Sequence, residues 1–161
     1  MVPPRDVTGG IRRGRPRLRG DSTLKPRTAG LKKRVLFVCI GNACRSQMAE
    51  AFARAYGSDI FIVRSAGLAP AGMVPPLTRQ VLNEKNIPTE GQFPKGISVV
   101  AGEQFDIVVN LSGEPLPAGL AADAIEWTVR DPIGENESVY RAVAAQIEGL
   151  VMRLILELRG G

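Results

Sequence analysis

Val35-Leu36-Phe37-Val38-Cys39-Ile40-Gly41-Asn42-Ala43-Cys44-Arg45-Ser46 is the stretch on which the reading of this chain turns. The apolar run Val35 to Val38 has the composition of a buried strand and delivers a cysteine at its end. A tight Gly-Asn turn follows. From Ser46 onward Met48, Phe52 and Ala55 recur at helical spacing. A strand, a turn and a helix in that order make an anion cradle, because successive backbone N–H groups and the positive end of the helix converge on one spot. Arg45 adds a guanidinium able to give two parallel hydrogen bonds to a tetrahedral oxyanion. The same positive field favours the thiolate of Cys39, which places a nucleophile beneath the bound anion. A cysteine ending an apolar strand is ordinarily a core residue. The Gly-Asn turn, Arg45 six residues on and Ser46 after it point instead to phosphoryl-transfer chemistry. The C-x5-R spacing is common by chance, so its place between a strand and a helix carries the weight. No Gly-Lys-Ser/Thr follows the turn, which excludes a nucleotide-binding P-loop.

Outward from this stretch, four apolar strand candidates alternate with helical segments: Val35 to Cys39, Ile60 to Arg64, Asp106 to Asn110 and Ala124 to Trp127. That alternation predicts an α/β fold, a parallel sheet with helices on both faces. Ser46 to Tyr56 is the first predicted helix. Pro75-Pro76 opens a second, carrying Leu77, Val81 and Leu82, because Pro suits the first helical turn. The last helix shows Val139, Val143, Ile147, Leu150, Leu154 and Leu158 every three or four residues, a stripe that packs on a sheet. Ligands in open α/β sheets bind at the carboxyl ends of the strands. Cys39, Asn110 and the segment after Trp127 fall at such ends, which lets Asp131 meet Cys39 across the sequence.

The net charge of +5 is a misleading average. Residues 1–34 hold eleven of the 21 Lys and Arg and only Asp6 and Asp21 as acids, whereas the remainder carries ten basic and fourteen acidic residues. The residues after 34 are therefore acidic behind a basic start, and a basic tail, 1–30, followed by one domain, 31–161, is expected. The tail is rich in Arg, Pro and Gly and lacks periodic apolar residues, so it reads as disordered. A solvated extension explains it better than a nucleic-acid-binding role. No stretch has the length of a secretory apolar segment or a membrane span. Histidine is absent, which removes Ser-His-Asp and Cys-His catalysis and the usual imidazole metal sites. Cys39 and Cys44 are the only cysteines, too few for a structural zinc site or a disulfide framework. Acid–base chemistry must then come from carboxylates, and two free thiols fit a reducing, cytoplasmic setting. No metal and no cofactor are called for.

Val35 to Glu50 resembles the opening of the low-molecular-weight protein tyrosine phosphatases and of the thioredoxin-coupled arsenate reductases that share their fold. Arg45-Ser46-Gln47-Met48-Ala49-Glu50 leans toward the reductase branch. Ser65-Ala66-Gly67 is similar to the family's second-strand ending, and Asp131-Pro132 to its general-acid loop. The matches run in order from about residue 33 to 158. The resemblance implies a three-layer α/β/α fold with a four-stranded parallel sheet, of the phosphotyrosine protein phosphatase I type. It also implies Cys39 as nucleophile, Asp131 as general acid, and an oxyanion loop of Ile40, Gly41, Asn42, Ala43, Cys44, Arg45 and Ser46. Ser46 reads as a donor to the thiolate or as a helix N-cap. Asn42 reads as the family's loop brace or as a turn residue tolerant of positive φ.

Two departures bear on the substrate. Phosphotyrosine-acting members carry aromatic walls just after Asp-Pro, where this chain has Ile133 and Gly134; Ile40 keeps only the aliphatic floor. The thioredoxin-coupled reductases need two further cysteines after the third strand, and Leu111 to Pro117 has none. Three readings follow. The first is a cysteine-dependent phosphatase acting on a phosphorylated substrate through a cysteinyl-phosphate. The second is an arsenate reductase relying on an external thiol. The third is a non-catalytic oxyanion sensor with Cys39–Cys44 as a redox switch. Joint retention of Cys39, Arg45 and Asp131 disfavours the sensor, and the missing relay favours the phosphatase over the reductase.

Overall fold

The computed structural model describes residues 31–160, and the fold is a unit that begins at Lys33. The tail expected over 1–30 lies outside the described residues. The elements alternate as β1 (Lys33–Cys39), α1 (Arg45–Gly57), β2 (Phe61–Gly67), α2 (Pro76–Glu84), α3 (Ile97–Val100), β3 (Ile107–Asn110), α4 (Ala118–Ala121), β4 (Ile125–Glu126) and α5 (Glu137–Gly160). The four strands form one parallel sheet in the order β2-β1-β3-β4.

β1 explains the layering. Side chains alternate across a strand, so Val35, Phe37 and Cys39 enter one core with residues of α1, α2 and α5. Leu36 and Val38 enter a second core with Ala66 of β2 and Val100 of α3. Because both faces are covered, Val35 to Val38 is fully buried, and the strand reads as a continuous apolar run. The result is the expected three-layer α/β/α sandwich.

Differences from the sequence reading are local and physical. β4 is only two residues long and exposed, since an edge strand needs little apolar surface. Trp127, expected in that strand, instead packs its ring 5.8 Å from Phe37. The buried face of α5 is Tyr140, Val143, Ala144, Ile147, Val151, Leu154 and Ile155. Val139, Leu150 and Leu158 of the predicted stripe only flank it, being partly buried. A 24-residue helix holds more apolar residues than one face needs, so periodicity alone left two adjacent stripes. The short helices α3 and α4 were not foreseen; four residues carry no periodicity. Among the described residues, no helix is long and apolar enough to cross a membrane.

Candidate active site

β1 pairs Cys39 with Gly67 and Val38 with Asn110, so three strand ends meet at one edge of the sheet. The 40–44 loop leaves from Cys39 there. Its carbonyls at Cys39, Ile40 and Gly41 accept hydrogen bonds from the N–H groups of Leu68, Ala69 and Ala71, at 3.0, 2.8 and 2.9 Å. In a trans peptide the next N–H points opposite to the carbonyl. The amides of Ile40, Gly41 and Asn42 are thereby turned away from the 68–71 segment, toward the inside of the loop. The residue that bends the chain is Asn42, at φ +50°, and not Gly41. Asn is among the few residues that adopt this left-handed conformation readily. α1 begins at Arg45 with Cys44 in the N-cap position and no side-chain cap. Ser46 is therefore not the N-cap that one reading of the sequence allowed.

Ser46 faces Cys39 instead. Its hydroxyl lies 2.8 Å from Cys39 Sγ, and both side chains are buried. Asn42 Nδ2 donates to Ser46 Oγ at 2.8 Å and to Ser65 Oγ at 3.0 Å. Ser46 Oγ accepts from Asn42, and its own proton can serve a thiolate at Cys39. Both Asn42 readings hold together: it makes the turn and braces the loop.

Arg45 is 6 % exposed. Its Nη1 donates to the carbonyls of Leu111 (2.7 Å) and Val129 (3.2 Å). With Nη1 spent, the Nε–Nη2 edge is left as the pair of parallel donors for an oxyanion. Nη2 also stands 3.4 Å from Asp131 Oδ2. Asp131 Oδ1 accepts the Ile133 N–H at 3.1 Å, an Asx turn that fixes the carboxylate. The structure thus brings Cys39, Arg45 and Asp131 to one cleft of about 240 Å³, closed by Ile40, Gly41, Ala43, Cys44, Ala71 and Ile133. Among the described residues, no aromatic side chain lines it. Ile133, at the position after Asp131-Pro132, is half exposed.

Cys44 belongs to the core. Thr78 Oγ1 donates to its sulfur at 3.3 Å, and the sulfur donates to Tyr140 OH at 3.7 Å. Burial pushes the Cys44 thiol up, against the lowering effect of those two hydrogen bonds. Burial likewise raises Tyr140, the Cys44 contact adding to it.

Sequence reasoning missed the supports beneath the loop. Gln47 Nε2 donates to Asn42 O, Asn42 Oδ1 and Phe93 O. Ser65 Oγ donates to Glu50 Oε1 at 2.6 Å. Gly67 was read only as part of a strand ending, yet it has a steric duty. A Cβ there would meet Ile40 O at 2.6 Å and Asn42 N at 2.7 Å. Both are backbone atoms of the loop and have nowhere to go. Gly67→Ala should destabilise the fold by about 1–3 kcal/mol, the scale of overpacking, and weaken phosphate binding together with the melting temperature. Thermal melts with and without phosphate check this. A stable variant that binds phosphate normally would show that the loop tolerates displacement.

The family described as low molecular weight phosphotyrosine protein phosphatase matches residues 34–118. A glutaredoxin arsenate reductase of Synechocystis sp. is 35 % identical over 130 residues, covering 78 % of this chain and 98 % of that protein. A solved arsenate reductase in its phosphate-binding state superposes with a TM-score of 0.70 at 32 % identity, over 78 % of this chain and 98 % of the other. A low molecular weight protein tyrosine phosphatase from T. tengcongensis gives 0.65 at 26 % identity, over 78 % and 99 %.

Proposed function

The chain belongs to the low molecular weight phosphotyrosine protein phosphatase family of enzymes, and from that membership we propose that it is an arsenate reductase drawing its electrons from an external thiol. The observation that carries this reading is the cleft. At about 240 Å³, without an aromatic wall, it is below the usual 300–1,000 Å³ of small-molecule sites and suits a bare tetrahedral oxyanion better than an aryl ester. The relatives at 32–35 % identity are named arsenate reductases, which shifts the balance from the hydrolase favoured on sequence to the reductase.

In the proposed reaction the Cys39 thiolate attacks arsenic, an S–As bond forms, and one oxygen leaves as water with a proton from Asp131. Arg45 and the inward amides of the loop hold the remaining oxygens. An external thiolate then attacks Cys39 Sγ. The new S–S bond forms as the S–As pair returns to arsenic, which is reduced from As(V) to As(III) and leaves as arsenite. Cys39 is left in a mixed disulfide, and the two sulfurs have together lost two electrons. The segment 111–117 carries no thiol to take that role; it supplies the Leu111 carbonyl to Arg45 and the Ser112–Asn110 turn. Cys44 is a poor candidate for resolving the disulfide, because burial keeps its thiol protonated. A second thiol, small or carried by a glutaredoxin-type protein, completes the cycle.

Phosphate esters remain the second reading, since the same nucleophile and acid serve both. One preparation assayed two ways separates them. The expected result is thiol-dependent reduction of arsenate, with hydrolysis of an aryl phosphate slower in kcat/KM by at least about 10²-fold, a difference of roughly 2.7 kcal/mol in transition-state binding. Efficient hydrolysis without arsenate reduction would restore the phosphatase reading.

A further inference from the structure

Lys95 brings a cation beneath the loop, and neither the sequence reading nor the proposed reaction uses it. It lies in the segment between α2 and α3, and its backbone carbonyl accepts from Gly67 N–H at 2.8 Å, which fastens that segment to the end of β2. Its N–H donates to Asn42 Oδ1 at 2.9 Å, and its Nζ reaches the same oxygen at 3.3 Å and Ser65 Oγ at 3.4 Å. The ammonium also lies 4.9 Å from the centroid of the Phe93 ring. A long cationic side chain lies half-buried along the protein, turned toward the loop.

The hydrogen-bond directions in this cluster can be followed from Lys95 as far as Ser46. Asn42 Oδ1 receives Lys95 N–H, Lys95 Nζ and Gln47 Nε2. The opposite face of that amide, Nδ2, must then point at Ser46 and Ser65, as it does. With a flipped amide, Nδ2 would meet three donors and both hydroxyls would lose theirs. Ser65, taking hydrogen bonds from Asn42 and Lys95, passes its proton to Glu50, which Arg54 Nη2 holds at 2.9 Å. Ser46 has one proton left to give, and a thiolate at Cys39, 2.8 Å away, would receive it.

We propose that Lys95 is a positioning residue for the nucleophile: its ammonium, seated on Asn42 Oδ1 and Ser65 Oγ, holds the Asn42 amide in the orientation that commits the Ser46 proton to the Cys39 sulfur. Chains of hydrogen bonds polarise one another in a low-dielectric setting, so a cation at the head of this chain strengthens the last bond. Burial lowers Lys95, and the nearby Glu50 carboxylate opposes that and helps to keep the charge. The inference rests on Cys39 being the nucleophile of the proposed reaction, but its test needs neither arsenate nor turnover.

The test compares Lys95→Met with the unaltered protein, reading the pH dependence of iodoacetamide alkylation at Cys39, resolved from Cys44 by fragment-ion mass spectrometry. Other charges act on the two sites: Glu50 and Arg54 from α1 and Arg64 from β2 around Lys95, Arg45 and Asp131 around Cys39. All are unchanged in the variant, so they cancel in the comparison. The alkylation midpoint should move to higher pH, slowing the reaction about three- to ten-fold on the acid side, the scale of one charge-assisted hydrogen bond. Direct binding of inorganic phosphate should stay within about two-fold, because Arg45 and the loop's backbone amides remain in place without the ammonium. An unmoved midpoint overturns the proposal. So does a midpoint that moves only in step with lost phosphate affinity, which marks a loosened loop. Lys95→Ala carries the same readouts if the Met variant fails to fold.

Discussion

Cys39→Ser should abolish turnover, with a loss of at least about 10⁴-fold, while phosphate still binds. The magnitude is that of removing a covalent nucleophile whose partners remain in place. Binding survives because the anion is held by other groups: the inward amides of Ile40, Gly41 and Asn42, and the Nε–Nη2 edge of Arg45. The serine hydroxyl would sit opposite Ser46 Oγ, 2.8 Å away in the present protein, and needs no rearrangement. Phosphate titration by calorimetry beside an arsenate-reduction assay reads both effects. Residual turnover within tenfold of the unaltered protein would mean that the nucleophile has been misassigned. Cys44→Ser is the matched control and should keep most activity, since Cys44 lies in the core against Thr78 and Tyr140.

The second large effect is at Asp131. Asp131→Asn should slow adduct formation by about 10²–10⁴-fold, the usual span for a general acid. The amide keeps the size of the carboxylate and can still accept the Ile133 N–H at 3.1 Å, so the turn should hold. It cannot supply the proton that lets an arsenate oxygen leave as water. In single turnovers the loss should therefore fall on the arsenic step and spare attack by the external thiol on the S–As adduct. An equal slowing of both steps would assign Asp131 a structural duty, through its 3.4 Å contact with Arg45.

The residues that declare themselves in the sequence are those whose chemistry is tied to a local pattern. Cys39, Arg45 and the strand–turn–helix around them can be read within one stretch, because buried strand, turn and helix each impose their own periodicity. Asp131 was legible only through the rule that strand ends converge, helped by the resemblance of Asp131-Pro132 to a family loop. Gln47, Ser65 and Lys95 were not legible as a group. They meet under Asn42 from a helix, a strand and a loop, and nothing local marks them as partners. Gly67 shows a third kind of limit. Its need for a bare Cα comes from the loop passing over it, across the β1–β2 pairing, and its φ is not in the left-handed region. The α5 face went astray for a different reason: a helix with apolar residues on two adjacent stripes does not say which one the sheet and α1 will cover.

Composition mattered most through what it excluded. Without histidine, the leaving-oxygen proton of the proposed reaction falls to a carboxylate, and Asp131 lines the cleft. With no cysteine in 111–117 and the Cys44 thiol pushed up by burial, the proposed reductase would draw its electrons from outside. These two constraints define the account more sharply than the fold, which the family's phosphatases and reductases share.

The most direct test is to mix the protein with arsenate and one equivalent of glutathione, quench with acid, and weigh the intact chain. The account predicts arsenite released in proportion to a single glutathione adduct, mapped to Cys39. A Cys39–Cys44 disulfide formed at the same rate, or arsenite released with Cys39 left unmodified, would contradict it.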